Sequence, residues 1–285
     1  MRIRNTENPH AFQESLFKEL GIYSLQGLLM DDNGNFTAAV EAVEYEDNEE
    51  WSIPFDTKDI NAKFQLAKQL QIPFYIVSYY KCIFHISVVV RSSDNEYHQK
   101  MIEELNGNAF FASWWHKIKS RSQSKPLANG ARPRANATIF DAALAESGLM
   151  WGGNIDGFLL KNSECASCII DCISVSCNLD SDPYANPAYY FNSPNPRHGP
   201  RYEGWYPAVK LSHVLNIPHA LLTLDKKNQN EEHVGMAFIR ELSKSGLFFW
   251  EDISPNKNIL SGKQNIINEF NSKVINKKAP KLVEQ

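Results

Sequence analysis

Residues 26–43 read QGLLMDDNGNFTAAVEAV, and residues 156–173 read DGFLLKNSECASCIIDCI. The two stretches align without a gap at an offset of 130 residues. Each contains an apolar run, a polar break and a second apolar run with one acidic residue, Glu41 or Asp171. Apolar runs on either side of turn-forming residues are typical of an antiparallel hairpin. The sequence therefore predicts the same β-hairpin twice.

The similarity continues on both sides of the hairpins. Upstream, ESLFKELGI ending at Ile22 matches DAALAESGL ending at Leu149; downstream, LAKQLQIPFYIV from Leu66 matches LSHVLNIPHALL from Leu211. The first pair has helical spacing and a glycine that suits a left-handed C-cap, and the second indicates a helix, an Ile-Pro break and a buried strand. We therefore predict an α/β protein of two tandem units with mixed central sheets, each ordered helix, hairpin, helix, strand.

The predicted units cover residues 1–112 and 137–285, joined by a basic segment at 113–136. That segment reads SWWHKIKSRSQSKPLANGARPRAN and has no acidic residue. We expect a short helix carrying both tryptophans, followed by a loop rich in Ser, Pro, Gly and Asn. The polar tail after about Ile266 is expected to form one more helix and a frayed end.

Composition narrows the class of protein. With 43% apolar and 12% aromatic residues among 285, the chain can bury a large core, so global disorder is excluded. The polar start and the lack of an apolar run of about 18 residues predict a cytoplasmic protein with no membrane partner. A net charge of -4 excludes a uniformly basic nucleic-acid coat but allows a local basic patch.

The unit, with one acidic residue opening a strand and another inside the next, resembles the core of the PD-(D/E)xK, or restriction-endonuclease-like, nuclease superfamily. The resemblance covers most of 139–225 and, more weakly, 12–80. It implies a magnesium or manganese site formed by a first-helix glutamate and two strand carboxylates, which here are Glu146, Asp156 and Asp171. Hard oxygen ligands hold a divalent cation that polarises phosphate and generates hydroxide near neutral pH.

The family places a lysine two residues after the strand acid. Here that position is Ile173 in the second copy and Val43 in the first. Some family members supply the amine from the following helix instead, and Lys210 is the candidate. The resemblance therefore implies that Asp156, Asp171 and Lys210 are the catalytic residues.

The first copy departs further from the family pattern. Gln26 stands at the position of Asp156, and Gln65 stands at the position of Lys210. A helix-borne lysine is therefore expected only in the second copy, and the first copy is expected to be a degenerate scaffold.

Each candidate also has an ordinary structural explanation. Asp156 precedes a glycine and could cap a turn, Glu146 could be a solvated helix residue, and Lys210 could be a surface charge. Asp171 is harder to explain in this way, because it lies within CIIDCISV, where an ionised carboxylate is costly unless it is paired or bound to a metal.

The cysteines form a cluster without zinc-knuckle geometry. Four of the five, Cys165, Cys168, Cys172 and Cys177, lie in one segment, which does not resemble a disulfide framework. On a strand, Cys168 and Cys172 would share one face and Cys177 would lie on the other, so a structural zinc is disfavoured. We expect reduced, mostly buried thiols.

Two regions are candidates for nucleic-acid contacts. One is the basic segment, and the other is the Tyr-, Pro- and Asn-rich insertion of the second copy. Either could equally be a solvated linker or a surface loop. The candidate cations are Lys117, Lys119, Arg121, Arg132, Arg134, Arg197 and Arg201.

Together these features favour a metal-dependent nuclease, or a nuclease-derived nucleic-acid-processing subunit, of a restriction or anti-phage defence system. DNA is favoured over RNA as the partner, and a companion protein subunit is compatible with the sequence. The alternative is a catalytically inactive nuclease-fold protein that binds nucleic acid or a partner protein. The missing lysine favours this alternative.

Overall fold

The computed structural model describes residues 11–45, 56–94, 96–119, 153–175, 202–225, 232–253 and 257–283. The chain divides into two compact units. We call Leu25–Asn154 the N unit, and Met1–Ser24 together with Ile155–Gln285 the C unit. No helix within these described ranges has the length and apolarity needed to cross a bilayer.

The N unit contains a mixed sheet with the strand order β1-β2-β3-β4-β5. Strands β2 and β3 are parallel, and the other neighbours are antiparallel. Helix α1 (Ala11–Leu20) comes first in the chain and belongs to the C unit. The elements that follow it in the N unit are, in chain order, β1 (Tyr23–Met30), β2 (Phe36–Glu44), α2 (Thr57–Gln69), β3 (Phe74–Tyr80), β4 (Ile83–Arg91), β5 (Tyr97–Asn106) and α3 (Asn108–Lys119).

In the C unit the strand order is β6-β7-β8-β9-β10. Strands β7 and β8 are parallel, whereas β6 with β7, β8 with β9 and β9 with β10 are antiparallel. Its remaining elements are β6 (Gly153–Lys161), β7 (Cys165–Val175), α4 (Tyr202–Leu215), β8 (His219–Asp225), β9 (His233–Ser243), β10 (Gly246–Phe249), β11 (Ile259–Ser261), α5 (Lys263–Asn276) and β12 (Lys281–Leu282). Both β11 and β12 also pair with β9.

The two units repeat the same strand registers. In the hairpins, Gly27 pairs with Val40 and Gly157 pairs with Ile170, and each hairpin has its register shift at the equivalent place, after Leu29 or Leu159. In the parallel pairs, Ala39 is opposite Phe74, and Ile169 is opposite His219. The predicted hairpins, following helices and strands, and the α/β class with a mixed sheet, are therefore present in the described residues. The predicted pattern ends at β3 and β8, and the structure continues each unit with further antiparallel strands.

Helix α1 packs in the C unit. Its apolar residues Phe12, Leu16 and Phe17 are buried in one cluster with Cys168 and Ile170 of β7. The helix ends as the sequence predicts, because Gly21 takes a positive φ of 68° and the Ile22 amide donates to the Phe17 carbonyl at 2.8 Å. The compact units therefore differ from the predicted units 1–112 and 137–285, because α1 packs with the C unit. The helix predicted to end near Leu149 lies outside the described residues.

The N unit buries the predicted tryptophan helix. Trp114 and Trp115 of α3, with Phe111, pack against β2, β3, β4 and β5. The phenyl ring of Phe111 stacks on that of Phe84, with ring centroids 4.4 Å apart. Much of the predicted basic connecting segment, residues 120–136, lies outside the described residues.

Gly157 is confined by the end of α1. A Cβ atom at this position would lie 2.6 Å from Ile22 Cγ2 and 3.2 Å from Ile170 Cβ. We expect Gly157→Ala to destabilise the protein by about 1–3 kcal/mol through overpacking. Urea unfolding measures this loss, and the double variant Gly157→Ala/Ile22→Ala should lose less than the sum of the single changes. A Gly157→Ala variant as stable as the wild type would contradict the close approach.

Candidate active site

Asp156 and Asp171 lie on neighbouring strands of the C-unit hairpin. Continuing the β6–β7 register one position beyond Gly157 and Ile170 places the two aspartates opposite each other. Along β7, Ile170 and Cys172 face the cluster that includes α1, and Ile173 packs in the other cluster, so Asp171 faces the second side. The structure therefore brings these two predicted site residues together.

Asp156 is a partly buried carboxylate with another carboxylate, Asp171, beside it. Its Oδ2 accepts a hydrogen bond from the backbone amide of Cys172 at 3.0 Å. Burial, together with the negative charge of Asp171, raises the pKa of Asp156 to about 7, and the Cys172 amide opposes this shift only in part. Asp156 and Asp171 therefore repel each other when both are ionised.

His219 is a member of this cluster that the sequence analysis did not identify. It opens β8, its side chain is fully buried, and its Nε2 lies 3.0 Å from Asp171 Oδ2. A signal was present in the alignment of IPHALL with IPFYIV, where His219 replaces Phe74 of the first copy.

The predicted amine, Lys210, makes a hydrogen bond within its own helix. Lys210 Nζ donates a hydrogen bond to the hydroxyl of Tyr206 at 2.9 Å, one helical turn away on α4, and lies over the same ring. Ile173, at the usual lysine position, packs with the apolar cluster around Trp205 and Leu221.

One of the three predicted metal ligands, Glu146, lies outside the described residues. The structure therefore describes two of them, Asp156 and Asp171. Within the described ranges, no group of three or more His, Cys, Asp or Glu side chains is arranged to hold a metal.

Cys165, Cys168 and Cys172 are free thiols. Cys168 and Cys172 share an apolar cluster, as predicted, and Cys177 lies outside the described residues.

The N unit forms a polar cluster at the equivalent strand positions. Gln26 Oε1 accepts from the Ala42 amide at 2.8 Å, which is the bond that Asp156 makes to Cys172 in the C unit. Glu41 Oε1 accepts from the Gln26 amide at 2.9 Å. A neutral amide thus replaces one of the two carboxylates.

Lys63 of α2 forms an ion pair with Glu41, the strand carboxylate of this cluster. Its Nζ lies 3.3 Å from Glu41 Oε2 and 2.7 Å from Asp59 Oδ2, and the Lys63 side chain is only 8% exposed. Glu41 and Asp59 raise the pKa of Lys63 against the effect of its burial. A helix-borne lysine beside the strand acid was expected only in the second copy, and that expectation is wrong. The signal was Lys63's place in the buried stripe with Ile60 and Ala67.

Of the residues predicted to contact nucleic acid, the structure describes the two lysines but not the five arginines. Lys117 is exposed on α3, whereas Lys119 is 4% exposed and its Nζ lies 5.9 Å from the ring centroid of Trp115. Lys119 therefore contributes to packing rather than to an exposed cationic surface. The predicted arginines lie outside the described residues: Arg121, Arg132, Arg134, Arg197 and Arg201.

Comparison with protein-family models, with curated proteins and with solved structures finds no match to this chain. The geometry of the two polar clusters is therefore the basis for the functional proposal.

The first site prediction concerns the pH dependence of stability. Because the pKa of Asp156 is raised in the folded state, the folded chain holds a proton that the unfolded chain releases, and this group's contribution to stability falls between about pH 4 and pH 7. In a chelator, we expect Asp156→Asn to be more stable than the wild type, by a margin that grows across this window. Urea unfolding at successive pH values measures the margin. Exposed Asp94→Asn is the control, and a margin independent of pH would contradict the prediction.

The second site prediction concerns the buried ion pair. We expect Lys63→Met to destabilise the protein by about 3–5 kcal/mol, because it leaves Glu41 without its cation. The double variant Glu41→Gln/Lys63→Met should recover much of this loss in the same urea experiment. Lys58→Met, at an exposed position on the same helix, should change stability little. Equal losses for Lys63→Met and Lys58→Met would show that the pair contributes nothing.

Proposed function

We propose that this protein is a metal-dependent nuclease with two restriction-endonuclease-like units, whose C unit holds the active site. The observation that carries the proposal is the placement of Asp156 and Asp171 opposite each other on the β6–β7 hairpin. The repeated order hairpin, helix, parallel strand in the described residues supports the fold assignment, since the family resemblance implies this order.

The chemistry follows from the proximity of two carboxylates. Two neighbouring carboxylates provide the oxygen ligands that magnesium and manganese prefer, and a bound cation would relieve their mutual repulsion. That cation would polarise a phosphate and lower the pKa of bound water, which is the chemistry of phosphodiester hydrolysis. In the proposal, Glu146 completes the ligand set and Lys210 is an electrostatic helper.

The contrast between the units supports an assignment of roles. In the N unit, Gln26 stands in place of one carboxylate, and the other, Glu41, is paired with Lys63. We therefore assign the N unit a scaffold role. Nucleic acid, with DNA favoured over RNA, is the proposed substrate, Lys117 is a proposed phosphate contact, and restriction or anti-phage defence is the proposed context.

A second candidate is a catalytically inactive nuclease-fold protein that binds nucleic acid or a partner protein. The observation in its favour is the position of the amine, because Ile173 packs in an apolar cluster and Lys210 is hydrogen-bonded to Tyr206. Under this proposal, the aspartate pair binds a cation for structure alone.

One experiment separates the candidates. We expect Mg²⁺ or Mn²⁺, titrated calorimetrically into the full chain, to bind at the C unit, and we expect the loaded protein to cleave single- or double-stranded DNA or RNA. Asp171→Asn should abolish both binding and cleavage while the fold remains intact, because it removes one of two adjacent charged ligands.

Asp94→Asn, which changes an exposed carboxylate, should leave both readouts unchanged. Cation binding without cleavage of any substrate would favour the inactive candidate. If the wild type binds neither cation, the nuclease proposal fails.

A further inference from the structure

His219 occupies a position that packing alone does not assign to histidine. It is the first residue of β8, opposite Ile169, and its side chain lies on the face of the sheet that carries Asp171. The equivalent residue of the N unit, opposite Ala39, is Phe74, which is 2% exposed. An apolar ring therefore fills this place in one unit, and the other unit has a fully buried imidazole.

Burying an imidazole costs free energy unless its nitrogens are hydrogen-bonded. Nε2 meets Asp171 Oδ2 at 3.0 Å, and Nδ1 has no hydrogen-bond partner among the described residues. The side chain thus retains one unsatisfied buried nitrogen, a disadvantage that the phenyl ring of Phe74 avoids. A phenylalanine would fill the same space without an unsatisfied nitrogen, which indicates that the contact between His219 and Asp171 has a role of its own.

The chemistry of the contact fixes its direction. An ionised carboxylate only accepts hydrogen bonds, so an ionised Asp171 receives the Nε2 hydrogen of the imidazole at its Oδ2. Asp156 is held in a similar way, because its Oδ2 accepts from the Cys172 amide. Each carboxylate of the pair is therefore oriented by a donor from the protein.

We propose that His219 is a positioning residue that orients Asp171 for binding of the divalent cation. This inference rests on the proposed function of the C unit. The imidazole acts through Asp171 by holding Oδ2, which directs the second carboxylate oxygen toward the neighbouring aspartate. This role also explains why the equivalent position in the N unit can be Phe74, since Glu41 there is ion-paired with Lys63 and needs no imidazole.

The test compares two substitutions of His219. His219→Phe reproduces the residue of the N unit and removes the donor, whereas His219→Gln keeps an N–H donor that can reach Asp171. His85→Phe is the matched control, because His85 lies in the N unit and contacts Tyr45. Calorimetric titration of Mn²⁺ into each full-length protein gives the affinity, and thermal unfolding in a chelator gives the midpoint.

We expect His219→Phe to weaken Mn²⁺ binding by about 10- to 100-fold, the usual effect of removing a group that orients a metal ligand. His219→Gln should restore most of the lost affinity, His85→Phe should bind as the wild type does, and the midpoint of His219→Gln should stay close to that of the wild type. If His219→Phe binds Mn²⁺ as tightly as the wild type, the positioning role is overturned and the proposed cation site stands.

If both His219 variants bind weakly and also unfold at lower temperature, the residue is structural and the positioning role is overturned. If the wild type itself binds no Mn²⁺, the cation site and the positioning role are both overturned.

Discussion

The cost of placing a carboxylate in the second strand of a buried hairpin is the constraint on which both units depend. Glu41 and Asp171 lie at equivalent positions, between apolar neighbours, on strands that pair on both sides. Neither charge can be solvated fully, so each unit must supply compensation from its own side chains. The N unit supplies an ammonium group from a helix, and the C unit supplies an imidazole beside Asp171 while placing a second carboxylate, Asp156, next to it. The same backbone therefore supports one cluster in which a lysine faces the strand acid and one in which a histidine does.

The sequence was sufficient to predict the elements whose signals are local. Polar breaks at DDNGN and KNSE identified the two hairpins, Gly21 identified the end of α1, and the Ile-Pro pairs identified the starts of β3 and β8. The equal offset between the hairpin sequences also predicted their equal registers. Such signals need only neighbouring residues, because turn geometry and strand alternation are set by the chain itself.

The parts that sequence reasoning missed depend on contacts between distant elements. Lys63 appears in the sequence as one of several helix cations, and only the packing of α2 on the sheet places its ammonium against Glu41. His219 appears as one polar residue in an apolar run until the parallel pairing brings it to Asp171. The assignment of α1 to the C unit was missed for the same reason, because apolar periodicity shows that a helix has a buried face but does not identify what covers it.

The packing of α1 has a consequence for the order of events during synthesis. The helix leaves the ribosome long before β7, its partner in the shared cluster, since roughly 150 residues separate Phe17 from Cys168 and Ile170. At translation rates of about 5–20 residues per second, the apolar face of α1 waits on the order of ten seconds for its partner strand. During this interval the N unit emerges with its described strands β1–β5, so it can fold first. The nascent chain therefore carries an unburied amphipathic helix ahead of a folded unit, and that helix is open to chaperone capture or to mispairing with a second nascent chain.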